Sequence, residues 1–180
     1  MANKSYDVIV VGAGILGATT AYYLKKSGMS DVLLIERGDI ASGGTGKSAA
    51  IVRSYYSIPV MARLAKEAVD LFHNLEDEIG VNGGFHPTGF TQLVPPDWVD
   101  KAKELVAMHQ GLGIDTDFVP PDKWQESFPW LNLEGIGAIA FEKSSGYADP
   151  VQTTEGFVNA FQKLGGEFRS RTPVRGLNRT

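Results

Sequence analysis

Gly12, Gly14 and Gly17 follow one another at the spacing GxGxxG, and a carboxylate, Glu36, stands about 20 residues further on. Residue types at that spacing handle a dinucleotide. The first glycine permits a tight turn out of a strand. The second lets the backbone approach a pyrophosphate, and the third lets a helix pack closely on the strand. N–H groups at the start of that helix, those of Ile15 and Leu16, face the phosphates, and the helix dipole favours their charge. A carboxylate at Glu36 accepts hydrogen bonds from adenosine ribose hydroxyls and repels a 2′-phosphate, which disfavours NADP. Ala21 and Gly28 extend the small-residue pattern. The alternative is a βαβ unit whose glycines merely serve packing, and it is the weaker reading because it does not account for the acid at this spacing from the three glycines.

A second glycine-rich stretch, residues 41–48 (ASGGTGKS), is one residue short of a strict phosphate-binding P-loop. A P-loop springs directly from a buried strand and opens a full helix. Here five residues separate the stretch from the preceding strand, and Pro59 follows closely. A P-loop NTPase is therefore the weaker reading, although N–H groups in such turns still make anion nests. His73, His86 and His109 lack metal-ligand spacing and read as surface or packing residues. Trp98, Trp124 and Trp130 read as core or helix-end anchors.

The elements that must position these groups are legible in outline. Residues 6–11 (YDVIVV) form a continuous apolar run, as in a strand buried on both faces, and residues 18–26 read as a helix capped by Gly28. Residues 32–35 make a second buried strand, so the strand–helix–strand order predicts a parallel sheet. Residues 59–79 carry apolar positions at three- and four-residue spacing and predict one long helix ended by Gly80. Strand pattern follows over 83–94. Two helix starts echo each other at residues 94–98 and 119–124, with Asp97 and Asp122 as expected N-caps and Gln125 completing a capping box. Residues 136–141 predict a strand, residues 153–164 a helix, and the last strand-like pieces lie around Phe168 and Val174. The fold class is α/β. Residues 1–80 are expected to begin a Rossmann-type nucleotide domain, residues 81–145 an inserted α+β layer, and residues 146–180 a return to the first domain.

Composition narrows the function classes. The net charge of −4, without a large basic block, argues against nucleic acid or an anionic membrane as partner. The absence of cysteine removes disulfides, thiolate metal sites and a cysteine nucleophile, and is compatible with a cytoplasmic location. The apolar run near the start is too short to span a bilayer. The triplets at Asn3 and Asn178 match a glycosylation site only by chance, since no secretion signal precedes them.

Three stretches carry a resemblance: residues 7–28, residues 36–37 with 42–53 (SGGTGKSAAIVR), and residues 146–150 (GYADP) with their helix and residues 172–174. The sequence resembles FAD-dependent amine and amino-acid oxidoreductases of the D-amino-acid oxidase superfamily, in the branch of sarcosine oxidase β-subunits, dimethylglycine dehydrogenases and glycine oxidases. The resemblance implies that Gly12, Gly14 and Gly17 hold the FAD pyrophosphate, that Glu36 binds the ribose, and that Arg37 and Ser42 are further cofactor-binding residues. Thr45, Gly46, Lys47, Ser48 and Ala49 would pass beside the flavin ring, and the backbone of Val174 would meet the adenine. Arg53 would lie near the flavin and bind a substrate carboxylate, as in some of these proteins, or would serve in an ordinary surface or structural ion pair. Lys47 stands where the dimethylglycine dehydrogenase pattern has a histidine that carries the flavin covalently, so non-covalent FAD is expected. Lys47 would instead place a positive charge near the flavin, or serve only as a solvated loop residue.

The expected activity is oxidation of a small amine or amino acid, such as sarcosine, dimethylglycine, glycine or proline, by hydride transfer to flavin N5. The resemblance admits an electron-acceptor protein or other subunits as partners, and no metal. An NAD-dependent dehydrogenase, a P-loop NTPase and a non-catalytic nucleotide-binding subunit stand as alternatives. The sheet so far has few strands to cover residues 8–11 and 32–35, so further sequence is expected to complete the fold.

Overall fold

The computed structural model describes residues 4–178; Asn3, Arg179 and Thr180 of the two glycosylation triplets lie outside the described residues. The chain runs β1 (Val8–Val11), α1 (Ile15–Lys26), β2 (Val32–Ile35), β3 (Ile51–Val52), α2 (Pro59–His73), α3 (Leu75–Ile79) and β4 (Phe90–Val94). It continues through α4 (Val99–Gly111), β5 (Thr116–Val119), α5 (Pro121–Ser127), β6 (Ala138–Glu142), β7 (Gly146–Tyr147), α6 (Pro150–Lys163) and β8 (Glu167–Arg169). Its contacts divide it into two units. One comprises residues 4–50, 74–84 and 148–178; the other comprises 51–73 and 85–147.

In the first unit β1 and β2 pair in parallel from Val8↔Val32 to Val11↔Ile35, and β8 pairs in parallel with the far edge of β2. The order β1-β2-β8 makes β2 central, and all four of its residues are buried. β1 departs from the expected two-sided burial: it is an edge strand, and Ile9 and Val11 are 52% and 64% exposed. Its apolar run satisfies one face only, because period-two geometry sends alternate side chains away from the helices. On the covered face α1 packs against α6, with Tyr22 edge-on to Phe157 at 5.6 Å between ring centroids. Phe157, Val158 and Phe161 are buried, as are Leu75 and Ile79 of α3. The Tyr22 hydroxyl donates to Glu78, whose carboxylate also meets Lys26 at 2.5 Å.

The second unit holds an antiparallel sheet in the order β4-β6-β5, with register Phe90↔Glu142 and Thr116↔Glu142. Ala138, Ile139 and Ala140 of β6 are fully buried, and Val106 of α4 packs with Tyr55 and Ala140. A short ladder pairs β3 with β7, Ile51↔Tyr147, and an isolated bridge joins His86 to the same Tyr147. Residues 51–73 thus belong with 85–147 rather than with residues 1–50, because β3 finds its partner in β7.

Several expected elements differ. The helix over 59–79 breaks at Asn74 (φ −113°, ψ 17°) into α2 and α3. Residues 83–89 are a loop with left-handed glycines at 83, 84 and 89, so the strand is confined to β4. Asp97 and Asp122 are not N-caps: proline occupies the first helical position at both starts and shifts each acid into the first turn. Gln125 closes no capping box; its amide donates to the carbonyls of Pro129 and Leu131. The working cap is Asp149, whose Oδ1 accepts from Val151 and Gln152 N–H and starts α6 three residues before the expected helix. No strand forms around Val174. Trp98 and Trp130 are exposed rather than core anchors, whereas Trp124 packs on Phe128 and Phe141. Among the described residues no helix is long and apolar enough to cross a membrane, and no acidic, histidine or cysteine cluster could hold a metal.

Candidate functional site: a dinucleotide cleft and an arginine cleft

The first site is assembled from backbone. Gly12 leaves β1 with φ +102° and donates its N–H to the Ile35 carbonyl at 2.7 Å, which fixes the turn to β2. A Cβ on Gly17 would overlap the Gly12 carbonyl, so only glycine lets α1 start this close to the turn. A Cβ on Gly14 would stand 2.9 Å from Thr45 Oγ1. That hydroxyl accepts the Ile15 N–H at 3.1 Å. Ile15 therefore differs from expectation: Thr45 caps its N–H, and the first-turn donors without an intrahelical partner that remain are those of Leu16 and Gly17.

Glu36 is a clasp. Its Oε2 accepts the Ala13 N–H at 2.9 Å and its Oε1 the Gly38 N–H at 2.8 Å. These N–H groups, Gly38 first and then Ala13, hold the carboxyl below the usual range. Each oxygen keeps a lone pair for a further donor. The Glu36 carbonyl takes the Thr172 N–H at 2.7 Å, and the Gly38 carbonyl takes that of Arg171. Those bonds bring residues 172–174 beside 36–38. Gly12, Gly14, Glu36, Arg37, Ser42, Thr45 and Val174 accordingly line one cleft of about 480 Å³.

Ala41, Gly46, Lys47 and Ser48 of the glycine-rich stretch do not line that cleft. Ala41 adopts φ +57°, its carbonyl accepts the Gly46 N–H, and Thr45, Gly46 and Lys47 form a single 3-10 turn. Lys47, Ser48 and Ala49 are exposed beyond it. No helix follows before β3, which removes the structural basis of a P-loop. Gly43, Gly44, Thr172 and Pro173 also line the cleft, and Ala13 supplies a donor to Glu36. These were missed because their roles depend on backbone rather than side-chain type.

The second site belongs to the other unit and is built from side chains. Arg53 donates to the Tyr55 carbonyl and lies over the rings of Tyr56 and Phe90, at 4.7 and 5.0 Å from their centroids. It is the charged member of a cleft of about 330 Å³ otherwise lined by Ile51, Val52, Tyr56 and the Met61, Leu64, Ala65, Ala68 and Phe72 face of α2. The aromatic seat of Arg53 was not foreseen, since Phe90 is remote in sequence.

The first cleft suits the adenosine diphosphate half of FAD. A Cβ added to Gly12, Gly43 or Gly44 would meet nothing within 4 Å, so these walls are bare backbone open to a ligand. First-turn N–H groups offer donors to phosphate and Glu36 an acceptor to hydroxyls.

Comparison with known proteins agrees. Residues 7–180 match the family model of the FAD dependent oxidoreductases named DAO. Mitochondrial dimethylglycine dehydrogenase of Rattus norvegicus is 28% identical over 172 residues, 95% of this chain and 20% of that protein. Sarcosine oxidase subunit beta of Rhodobacter capsulatus is 32% identical over 182 residues, 97% of this chain and 44% of that protein. The crystal structure of L-proline dehydrogenase from P. horikoshii superposes with a TM-score of 0.88 at 27% identity, covering 96% of this chain and 46% of that one. The chain thus spans less than half the length of these relatives. A dinucleotide cleft of this geometry and a family match over nearly every residue lead to one conclusion: the chain belongs to the DAO family of FAD-dependent oxidoreductases.

Proposed function

We propose that this chain serves an enzyme that oxidises a small amine or amino acid, with sarcosine, dimethylglycine, glycine and proline as the substrate class. The observation that carries the reading is the cleft in which Gly12, Gly14 and the Glu36 clasp converge, within a chain of this family. FAD, when bound, supplies the acceptor for a hydride from the carbon next to nitrogen. Gly14 and the first turn of α1 hold the pyrophosphate, Glu36 takes the ribose hydroxyls, and the 172–174 segment borders the adenine. A lysine at position 47 has no imidazole to offer a covalent flavin bond, so FAD is held non-covalently.

Arg53 binds the substrate carboxylate. A guanidinium fork in an otherwise apolar cleft matches a small amino acid, whose carboxylate takes the fork while its carbon skeleton takes the apolar wall. The unit of residues 51–73 and 85–147 is the substrate-binding part, and the other unit holds the nucleotide. The name of the sarcosine oxidase relative, a subunit, supports partner chains for the whole protein. A cytoplasmic location is compatible with the cysteine-free composition.

The test is direct. The full-length protein that contains this chain, once purified, should be yellow, release FAD on denaturation, and turn over at least one of sarcosine, proline and glycine. Arg53→Ala should raise KM for that substrate about tenfold or more while FAD content is kept. Recovery of NAD in place of FAD would refute the cofactor assignment. Loss of FAD with unchanged KM would refute the role of Arg53.

A further inference from the structure

We propose that Glu142 and His109 are positioning residues for Arg53, a role that rests on the reading of Arg53 as the ligand of the substrate carboxylate. Arg53 is tied to the backbone that follows it: its guanidinium donates to the Tyr55 carbonyl and lies on the Tyr56 ring. Where residues 54–56 go, the fork goes.

That tripeptide is pinned at both ends by buried side chains from other elements. Glu142 at the end of β6 is fully buried, and its Oε1 accepts the Ser54 N–H at 2.6 Å and the Ser145 hydroxyl. His109 in the last turn of α4 is also fully buried, and its Nε2 lies 2.9 Å from the Tyr56 carbonyl. A carbonyl only accepts, so Nε2 carries the hydrogen. The same imidazole packs edge-on against Tyr55, 5.0 Å between centroids. Ser54, Tyr55 and Tyr56 are thus each held by Glu142 or His109.

The arrangement is poor for stability alone. Glu142 Oε2, His109 Nδ1 and the hydroxyl of Thr116 are buried without a hydrogen-bond partner among the described residues, and Thr116 faces Glu142 across the β5–β6 ladder. Burying polar atoms unpaired opposes folding, and what offsets that cost is the set of bonds that Glu142 and His109 make to Ser54, Ser145 and Tyr56. What Glu142 and His109 supply, and leucine or phenylalanine could not, is one acceptor and one donor at fixed places along residues 54–56. They act on Arg53 through that backbone.

The experiment uses the FAD-loaded full-length protein, with acetate as a small carboxylate probe, titrated calorimetrically, alongside steady-state kinetics with sarcosine or whichever of proline and glycine is turned over. E142L and H109F should each weaken acetate binding and raise KM by about tenfold. The turnover number and FAD content should stay within about twofold, since only carboxylate binding is disturbed. E142Q keeps an acceptor for the Ser54 amide and should return both values toward those of the parent. R53M combined with E142L should bind acetate no more weakly than R53M alone, because both substitutions remove one interaction. Thermal melts establish that each variant is folded, and H109F decides the matter if E142L does not fold. A folded H109F or E142L that binds acetate like the parent, while R53M does not, overturns the positioning role. R53M that binds acetate like the parent overturns the reading of Arg53 itself.

Discussion

The two units of this chain solve the problem of placing a binding group in opposite ways. The first relies on the removal of side chains: Gly12, Gly14 and Gly17 bring backbone against backbone, and one carboxylate, Glu36, fastens two turns together. The second relies on side chains stacked in depth. Arg53 rests on Tyr56 and Phe90, Phe90 on Tyr55, and Tyr55 on His109. A backbone-built site tolerates little added volume, because the atoms that would have to move are the chain itself. A side-chain-built site can repack, so single changes there should be graded rather than decisive.

Four substitutions would break or sharpen that contrast. The largest effect is expected from Gly17→Ala, whose Cβ overlaps the Gly12 carbonyl; destabilisation of about 1–3 kcal/mol in urea unfolding should accompany loss of bound FAD. Gly43→Ala, into open space, should stay within about 0.5 kcal/mol. Equal effects at the two glycines would mean that close backbone approach is not what the first site depends on.

Next comes Glu36→Ala, which strips the acceptor from the Ala13 and Gly38 N–H groups, at about 1.5–3 kcal/mol for a bond to a charged group. Its pH signature has a definite sign. The folded carboxyl titrates below its unfolded value, so the wild-type advantage is complete above the unfolded pKa of about 4.3 and fades as pH falls through the lower folded one. Unfolding midpoints of the parent and Glu36→Ala, compared from pH 7 to pH 3, should converge at the acid end. A gap that widened in acid would show that Glu36 is protonated in the fold.

Among the substitutions that disturb a contact, Phe90→Leu should have the smallest effect. It removes one of two rings under the Arg53 guanidinium, a contact of about 0.5–1 kcal/mol, and should raise the substrate KM only a few-fold. A collapse of binding would place Phe90 among the groups the site cannot replace, and the side-chain-built unit would then be as brittle as the other.

The contrast also explains what could be read from the sequence. The βαβ start and its glycines were legible because each requirement is local: a turn, a helix start and a strand lie within residues 6–36. Glu36 was singled out by its spacing, but the sequence alone did not reveal that its carboxylate grips the Ala13 and Gly38 N–H groups. β3, β5 and β7 went unread. β3 and β7 have two residues each, and β5 carries Asp117 at its centre, so their strand character comes from their partners. Asp97 and Asp122 were mistaken for caps because two prolines in a row leave the start open by one residue; only the fold shows proline in the first helical position. Val174 was named by resemblance, and the bonds from Glu36 and Gly38 to residues 171–172 supply the physical reason.

The small ladder of Ile51 with Tyr147, and the bridge from His86 to the same tyrosine, bears on how this chain folds. β2 and β8 come from opposite ends of the sequence, and their pairing must close a very long loop. Loop closure grows more costly with length, and such distant pairings slow folding. When the second unit forms first, however, its ladder ties the point where the chain enters to the point where it leaves. The long excursion is thereby shortened to a hairpin-like neck before β8 seeks β2. On that order, a defect in the two-residue strand β3 is expected to slow assembly of a sheet to which it does not belong, and refolding kinetics of such a variant would check it.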